Sequence, residues 1–147
     1  MSCILTIIGE HFDVDTFYEL VKIPQFERFY KGEPINAVNP RERKHSFATI
    51  VTSEASFSDY QQQVEDTYEF LEKHQESLKH IKSTPNIEYA TINFGIDAEI
   101  NEERLTQSLY FPEKLVIICG ILGIGIEASL YHPRVNEILA ERYNKKG

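Results

Sequence analysis

The chain has 147 residues, of which 41% are hydrophobic and 26% are charged, as is ordinary for one soluble globular domain with a sizeable core. Its net charge of −8 argues against nucleic-acid binding, which depends on Lys and Arg side chains that neutralise phosphates. An acidic surface instead suits a basic protein partner, or serves solubility alone.

The N-terminus has no signal-peptide pattern. Met1 leads almost directly into a strand-like run, without a basic start or a cleavage site of small residues, so we predict a cytoplasmic protein. The two cysteines, Cys3 and Cys119, lie in apolar runs, which favours buried, reduced thiols. Whether the two are neighbours is left open by the sequence.

The first element is a strand over Ser2 to Gly9. Both of its alternating faces are mostly apolar, which predicts a central strand covered on both sides or nearly so. A helix from Val14 to Lys22 follows, with Asp13 or Asp15 as its N-cap and Pro24 as its stop.

Residues 25–44 form a long irregular segment with turn signals at Lys31-Gly32-Glu33-Pro34. A connection of this length is unusual in a compact domain. It either holds a short strand around Phe29 to Tyr30, or it is a functional loop that faces a partner. The alternation after it predicts a strand over His45 to Ser53.

The segment from Phe57 to Lys82 has the clearest helical periodicity, interrupted only by a polar gap at His74 and Gln75. It predicts one long amphipathic helix. A strand from Ile87 to Ile96 follows, and a short C-terminal helix is predicted over residues 134–143. Residues 102–111 fit either a short helix or an extended segment.

The most apolar stretch runs from Phe111 to Tyr131, and two structures compete for it. It could be one buried strand pair, but its proline, its periodicity and Gly123 favour a helix from Pro112 to Leu122 and a strand from Ile124 to Tyr131. The apolar run is too short and too often interrupted by charge to predict a membrane span. A dinucleotide-binding glycine motif would need the opposite order of strand and helix.

These elements predict a single α+β domain over residues 1–147, with a mixed or antiparallel sheet of four or more strands. The long amphipathic helix is expected to pack on that sheet. The two strand–helix–strand halves suggest a split βαβ, ferredoxin-like arrangement.

Several segments together resemble a bacterial domain-of-unknown-function family, number forty-two seventy-nine. They are LTIIGEHFDVDTF near the start, Ile23-Pro24, Lys31-Gly32-Glu33, Phe47 after a basic loop, and FPEKLVIICGILGIGIEASLY near the end. The resemblance covers nearly the whole chain. It implies a compact α+β domain in the bacterial cytoplasm, and it transfers no catalytic residue because the family has no established activity.

Two clusters are candidate binding sites. At the first strand–helix junction, Glu10, His11 and Asp13 could serve a metal ion or act in acid–base chemistry if they converge in a cleft, although Asp is also the expected helix cap. In the long loop, aromatic and Arg residues of the kind that protein interfaces favour occur together. These residues are Phe29, Tyr30, Arg41 and Arg43.

No motif indicates a cofactor or a metal centre, and no set of residues has the spacing of a catalytic site. We therefore predict a non-enzymatic protein-interaction module, with an immunity-like role in a bacterial system as one form. The alternatives are a small-ligand or metal-binding protein, or an enzyme, that uses residues 10–15, and a structural subunit that dimerises through a sheet edge or the long helix.

Overall fold

The computed structural model describes residues 1–146, and these form an α+β domain. The elements in chain order are β1 (Cys3–Gly9), α1 (Val14–Val21), β2 (Glu27–Phe29), β3 (Ser46–Ser53), α2 (Tyr60–Lys73), α3 (Gln75–Leu78), α4 (His80–Ser83), β4 (Tyr89–Asp97), α5 (Glu113–Leu122), β5 (Gly125–Tyr131) and α6 (Val135–Asn144).

The five strands form one mixed sheet in the order β2-β3-β1-β4-β5. Strand β1 pairs antiparallel with both β3 and β4, β2 pairs antiparallel with β3, and β4 and β5 are parallel. The predicted α+β class and mixed sheet are thus confirmed. The ferredoxin-like arrangement is not confirmed, because the strands of the β4–α5–β5 unit are direct neighbours and no strand lies between them.

The two faces of the sheet are buried to different degrees. Leu5 and Ile7 of β1 and Ile92 of β4 lie on one face and are fully buried. The side chains of Ile4, Thr6 and Ile8 point to the opposite face and are half-buried. The prediction that β1 is a central strand is therefore confirmed, and its second face is half-buried.

The predicted long helix is not continuous. The segment divides into α2, α3 and α4, with breaks at His74 and Lys79. The first break falls in the polar gap of the apolar repeat, where the His74 ring packs on Phe70 with 4.7 Å between ring centroids. The breaks redirect the chain so that α3 and α4 contact α1 while Leu78 and Ile81 stay buried.

The stretch from Phe111 to Tyr131 is a helix followed by a strand, as its periodicity favoured. Helix α5 buries Leu115, Ile118, Cys119 and Leu122, and it ends at Gly123, which has a φ of 75°. That left-handed conformation suits glycine. Residues 104–112 before it are in neither a helix nor a strand, so the predicted alternative of a short helix is not seen there.

The C-terminal helix forms where it was predicted, but no residue of α6 is buried. None of the helices in residues 1–146 has the length and apolar character needed to span a bilayer.

A buried amide connects α2 to the sheet. Gln63 is fully buried, and its Nε2 donates to the carbonyl oxygens of Ser56 at 3.0 Å and Gly95 at 2.9 Å.

We expect Gln63→Leu to lower the free energy of unfolding by about 2 kcal/mol, because both carbonyls lose their donor. Urea unfolding checks this value, and Gln61→Leu at an exposed position of the same helix should change it little. Equal effects of the two substitutions would contradict the role of the amide.

Both cysteine thiols are free and buried, and burial raises the pKa of Cys3 and of Cys119 to about 11. We expect neither thiol to react with a thiol reagent at about pH 8 in the folded protein, and both to react in urea. The folded protein disfavours the thiolate form of both cysteines. The stability that the two neutral thiols contribute is therefore complete below about pH 9 and is lost as the pH rises towards 11. Rapid labelling of the native protein would contradict this.

Candidate functional site

A row of large apolar side chains crosses one end of the half-buried face of the sheet. Phe47 of β3 pairs with Ile8 of β1 on one side and with Phe29 of β2 on the other. The rings of Phe29 and Phe47 stack at 4.5 Å between centroids with an angle of 16°. Because paired residues of antiparallel strands point to the same face, the three side chains form a continuous apolar floor.

The segment above this floor is an ordered hairpin-like loop. Its two halves are joined by backbone hydrogen bonds from Gly32 N to Arg43 O, from Arg43 N to Glu33 O and from Ile35 N to Arg41 O. Gly32 has a φ of 90°, which explains why glycine follows Lys31. The segment over residues 25–44 also contains the short strand β2, which bears out the predicted alternative of a short strand near Phe29. The rest of the segment is more ordered than the predicted irregular loop, because these hydrogen bonds join its two halves.

Arg43 lies over the stacked rings. Its guanidinium carbon is 4.7 Å from the Phe29 ring centroid and 5.2 Å from that of Phe47, and Nη2 donates to the carbonyl oxygen of Ile35 at 3.0 Å. Within residues 1–146, Nε of Arg43 is the one buried side-chain nitrogen or oxygen without a hydrogen-bond partner. An unpaired buried donor costs stability, and the contacts with the two rings offset that cost.

An open groove of about 810 Å³ lies between the floor, the loop and Arg43, and we call it the loop groove. This volume lies in the range of small-molecule and peptide sites. The loop groove is lined by Ile8, Ile35, Arg41, Glu42, Arg43, Lys44, His45 and Phe47.

The junction after β1 does not gather its carboxylates around a common point. Glu10 pairs with Lys31 at 3.1 Å, and the hydrogen bond from Lys31 lowers the pKa of Glu10. Asp13 caps α1 by accepting from Thr16 N at 3.1 Å and Thr16 Oγ1 at 2.8 Å, which lowers its pKa. His11 is exposed.

The junction instead supports the root of the loop. Asp15 pairs with Arg28 at 2.8 Å and accepts from Tyr30 Oη at 2.6 Å, a hydrogen bond that raises the pKa of Tyr30. With the Glu10–Lys31 pair, these contacts tie β2 and the start of the loop to the start of α1. The two clusters that the sequence suggested are therefore parts of one region, in which the junction positions the loop.

The predicted site residues thus have separate places. Arg41 and Arg43 line the loop groove, and Phe29 packs against the lining residues Arg43 and Phe47. Tyr30 belongs to the supporting contacts, and Glu10 and Asp13 are engaged in an ion pair and a helix cap. In the described part of the chain, no group of three or more His, Cys, Asp or Glu residues could hold a metal ion.

Ile8 and Phe47 are lining residues that were not among the predicted site residues, although Phe47 contributes to the family resemblance. Both occur in predicted strands, and a period of two puts Phe47 on one face with Thr49 and Val51. The pairing register that brings them beside Phe29 has no signal in the sequence.

Comparison with protein-family models, with curated proteins and with solved structures found no match. The resemblance to family forty-two seventy-nine therefore stays a prediction, and the function has to be argued from the site.

Proposed function

We propose that this protein is a non-enzymatic interaction module of the bacterial cytoplasm that binds a partner protein through the loop groove. The observation that carries the proposal is Arg43 held on the stacked rings of Phe29 and Phe47 at the edge of an open, partly apolar groove. Arginine and aromatic residues at the centre of a surface are typical of the anchors that dominate protein interfaces.

The charge of the remaining surface supports a partner that is basic overall. Helix α2 and the residues after it present exposed Glu65, Glu69, Glu72 and Glu76 to solvent. In a chain of net charge −8, such a surface would attract a basic protein and speed its association. An immunity-like role, in which the bound partner is neutralised, is the form of the proposal that suits a small acidic protein of this kind.

Site-specific photo-crosslinking tests the proposal. A photo-reactive amino acid replaces Val38, which is 86% exposed at the tip of the loop, in cells that make the protein. The same replacement at the exposed Glu103 serves as the matched control site. We expect Val38 to crosslink one protein that Glu103 does not, and we expect Arg43→Glu to abolish that crosslink.

Two results would contradict the proposal. The first is the same set of crosslinked proteins from both sites. The second is a crosslink from Val38 that Arg43→Glu leaves unchanged, since the partner would then contact the loop without using the groove.

A second candidate is a structural homodimer, and the exposed edge of the sheet supports it. Strand β5 is an edge strand of seven residues, and on the neighbouring helix α5 the side chains of Val116, Ile117 and Ile121 are about half exposed. An unpaired edge beside an apolar helix face is a surface that a second copy could cover by antiparallel pairing.

Light scattering after size exclusion tests the dimer. A dimer that Ile117→Glu converts into monomer would support it, whereas a monomer at all accessible concentrations would remove this candidate.

A further inference from the structure

The cations of the loop groove are not neutralised by the protein itself. Arg41, Arg43 and Lys44 form no ion pair within residues 1–146. Elsewhere six Lys and Arg residues have carboxylate partners, as in the Arg28–Asp15 and Lys114–Glu65 pairs, while single cations such as Lys73 and Lys82 have none among residues 1–146. The chain has 23 acidic residues and 15 Lys and Arg residues, so a shortage of carboxylates does not explain the unpaired cluster.

Arg43 is also fixed in place before any ligand arrives. The two rings and the Ile35 carbonyl hold its guanidinium, and the Nη2 group is the only part of it with an acceptor in the described chain. A planar guanidinium held in this way can donate further hydrogen bonds to a carboxylate at a low cost in side-chain entropy.

The lining of the groove restricts the ligand further. Ile8, Ile35 and Phe47 add apolar surface beside the cations, and Glu42 adds one negative charge at the rim. A nucleic-acid backbone would gain little from the apolar floor and would be repelled by the net charge of −8. A segment with both carboxylates and apolar side chains matches both halves of the surface.

A second groove of about 590 Å³ continues the same pattern along the loop. It is lined by Val38 of the loop tip and by Leu139, Arg142, Tyr143 and Lys146 of α6 and the residues after it. Arg142 and Lys146 also form no ion pair within residues 1–146. The cationic and apolar surface therefore extends beyond one pocket, which favours an extended chain over a compact metabolite.

We infer that the loop groove takes an acidic peptide segment of the partner protein that also carries apolar side chains. Its carboxylates bind Arg41, Arg43 and Lys44, and an apolar side chain packs on Ile8 and Phe47. The inference rests on the proposed function and adds the chemistry of the contacting segment. It is compatible with a partner that is basic elsewhere, because the charge of the groove is local.

Fluorescence anisotropy with three labelled ten-residue peptides tests the inference. The first peptide contains glutamate and leucine, the second has glutamine in place of glutamate, and the third has serine in place of leucine. We expect the first to bind at least about tenfold more tightly than either of the others, since each charge-assisted contact and each buried apolar side chain adds affinity. Its affinity should also fall as salt is raised.

Substitutions in the protein test whether the peptide binds in the loop groove. Arg43→Ala should weaken binding of the glutamate–leucine peptide by about tenfold or more, and Lys44→Glu at an exposed position should weaken it without disturbing the fold. Arg104→Ala is the matched control, because Arg104 is an exposed arginine that pairs with Glu99 and lines neither of the two grooves. It should leave the affinity within about twofold.

Equal affinities for the glutamate and glutamine peptides would overturn the inference, and so would equal effects of Arg104→Ala and Lys44→Glu. If the photo-crosslink from Val38 still depends on Arg43, such a result rejects the acidic segment and keeps the interaction module. The interaction module itself is rejected if Val38 and Glu103 crosslink the same proteins, or if Arg43→Glu leaves the Val38 crosslink unchanged.

Discussion

Replacing Phe17 by Ala should lower the free energy of unfolding by about 3–5 kcal/mol, the range for a fully buried aromatic side chain. Phe17 has no exposed surface, and its ring makes edge contacts with Phe12 at 5.6 Å and Phe26 at 5.8 Å between centroids. The ring thus joins α1 to the chain on both sides of it. Urea unfolding followed by circular dichroism measures the change.

Leu20→Ala provides the control for Phe17→Ala. Leu20 lies on the same helix and is 44% exposed, so its truncation should cost well under half as much. Equal losses from the two substitutions would show that helix propensity, and not the aromatic cluster, determines the stability of this region.

The second large effect is expected from Gly9→Ala, which should destabilise the fold by about 3 kcal/mol or more. A Cβ atom at this position would lie 2.0 Å from the backbone oxygen of Asn86. Backbone atoms cannot move aside as the end of a flexible side chain can, so the turn before β4 would have to shift. The measurement is the unfolding midpoint in urea.

Gly120→Ala is the matched control for Gly9→Ala. Gly120 lies inside α5, and a Cβ atom added there meets nothing within 4 Å. Alanine should therefore stabilise the protein by up to about 1 kcal/mol, because it reduces the freedom of the unfolded chain and favours helix. A stabilising Gly9→Ala would contradict the close approach of the two backbones.

Phe17→Ala and Gly9→Ala both fall in the segment LTIIGEHFDVDTF, which contributes to the family resemblance. Gly9 permits a close backbone contact, Asp13 caps α1 and Phe17 fills the core. This motif is therefore explained by folding, and nothing in its geometry requires a reaction.

The positions of most elements were predictable because their signals are local. The cap at Asp13, the glycine at 123 and the alternation of β1 and β3 each act within a few residues, and the observed elements agree with the predicted ones to within two residues at these places. The predictions failed where contacts between residues far apart in the sequence determine the structure. The breaks at His74 and Lys79 serve the packing of α3 and α4 on α1, which the helical repeat of the segment does not reveal.

The candidate site was also predictable from the sequence only in part. Composition alone drew attention to Phe29, Arg41 and Arg43, because aromatic and Arg residues in a long loop are typical of interfaces. The stacking on Phe47 depends on the β2–β3 register, and the pairing of Glu10 with Lys31 depends on the course of the loop. Sequence therefore separated two clusters that the fold joins.

Arg43 is held on two aromatic rings, and we propose that it is available to a carboxylate. NMR spectroscopy of the arginine Nε–Hε groups tests it directly, with Arg43→Lys to assign the signal. We predict one signal that exchanges slowly with water, because Nε is buried, and that is displaced by the neighbouring rings. The glutamate–leucine peptide should shift this signal and the glutamine peptide should not. A rapidly exchanging Arg43 signal that neither peptide shifts would contradict the account.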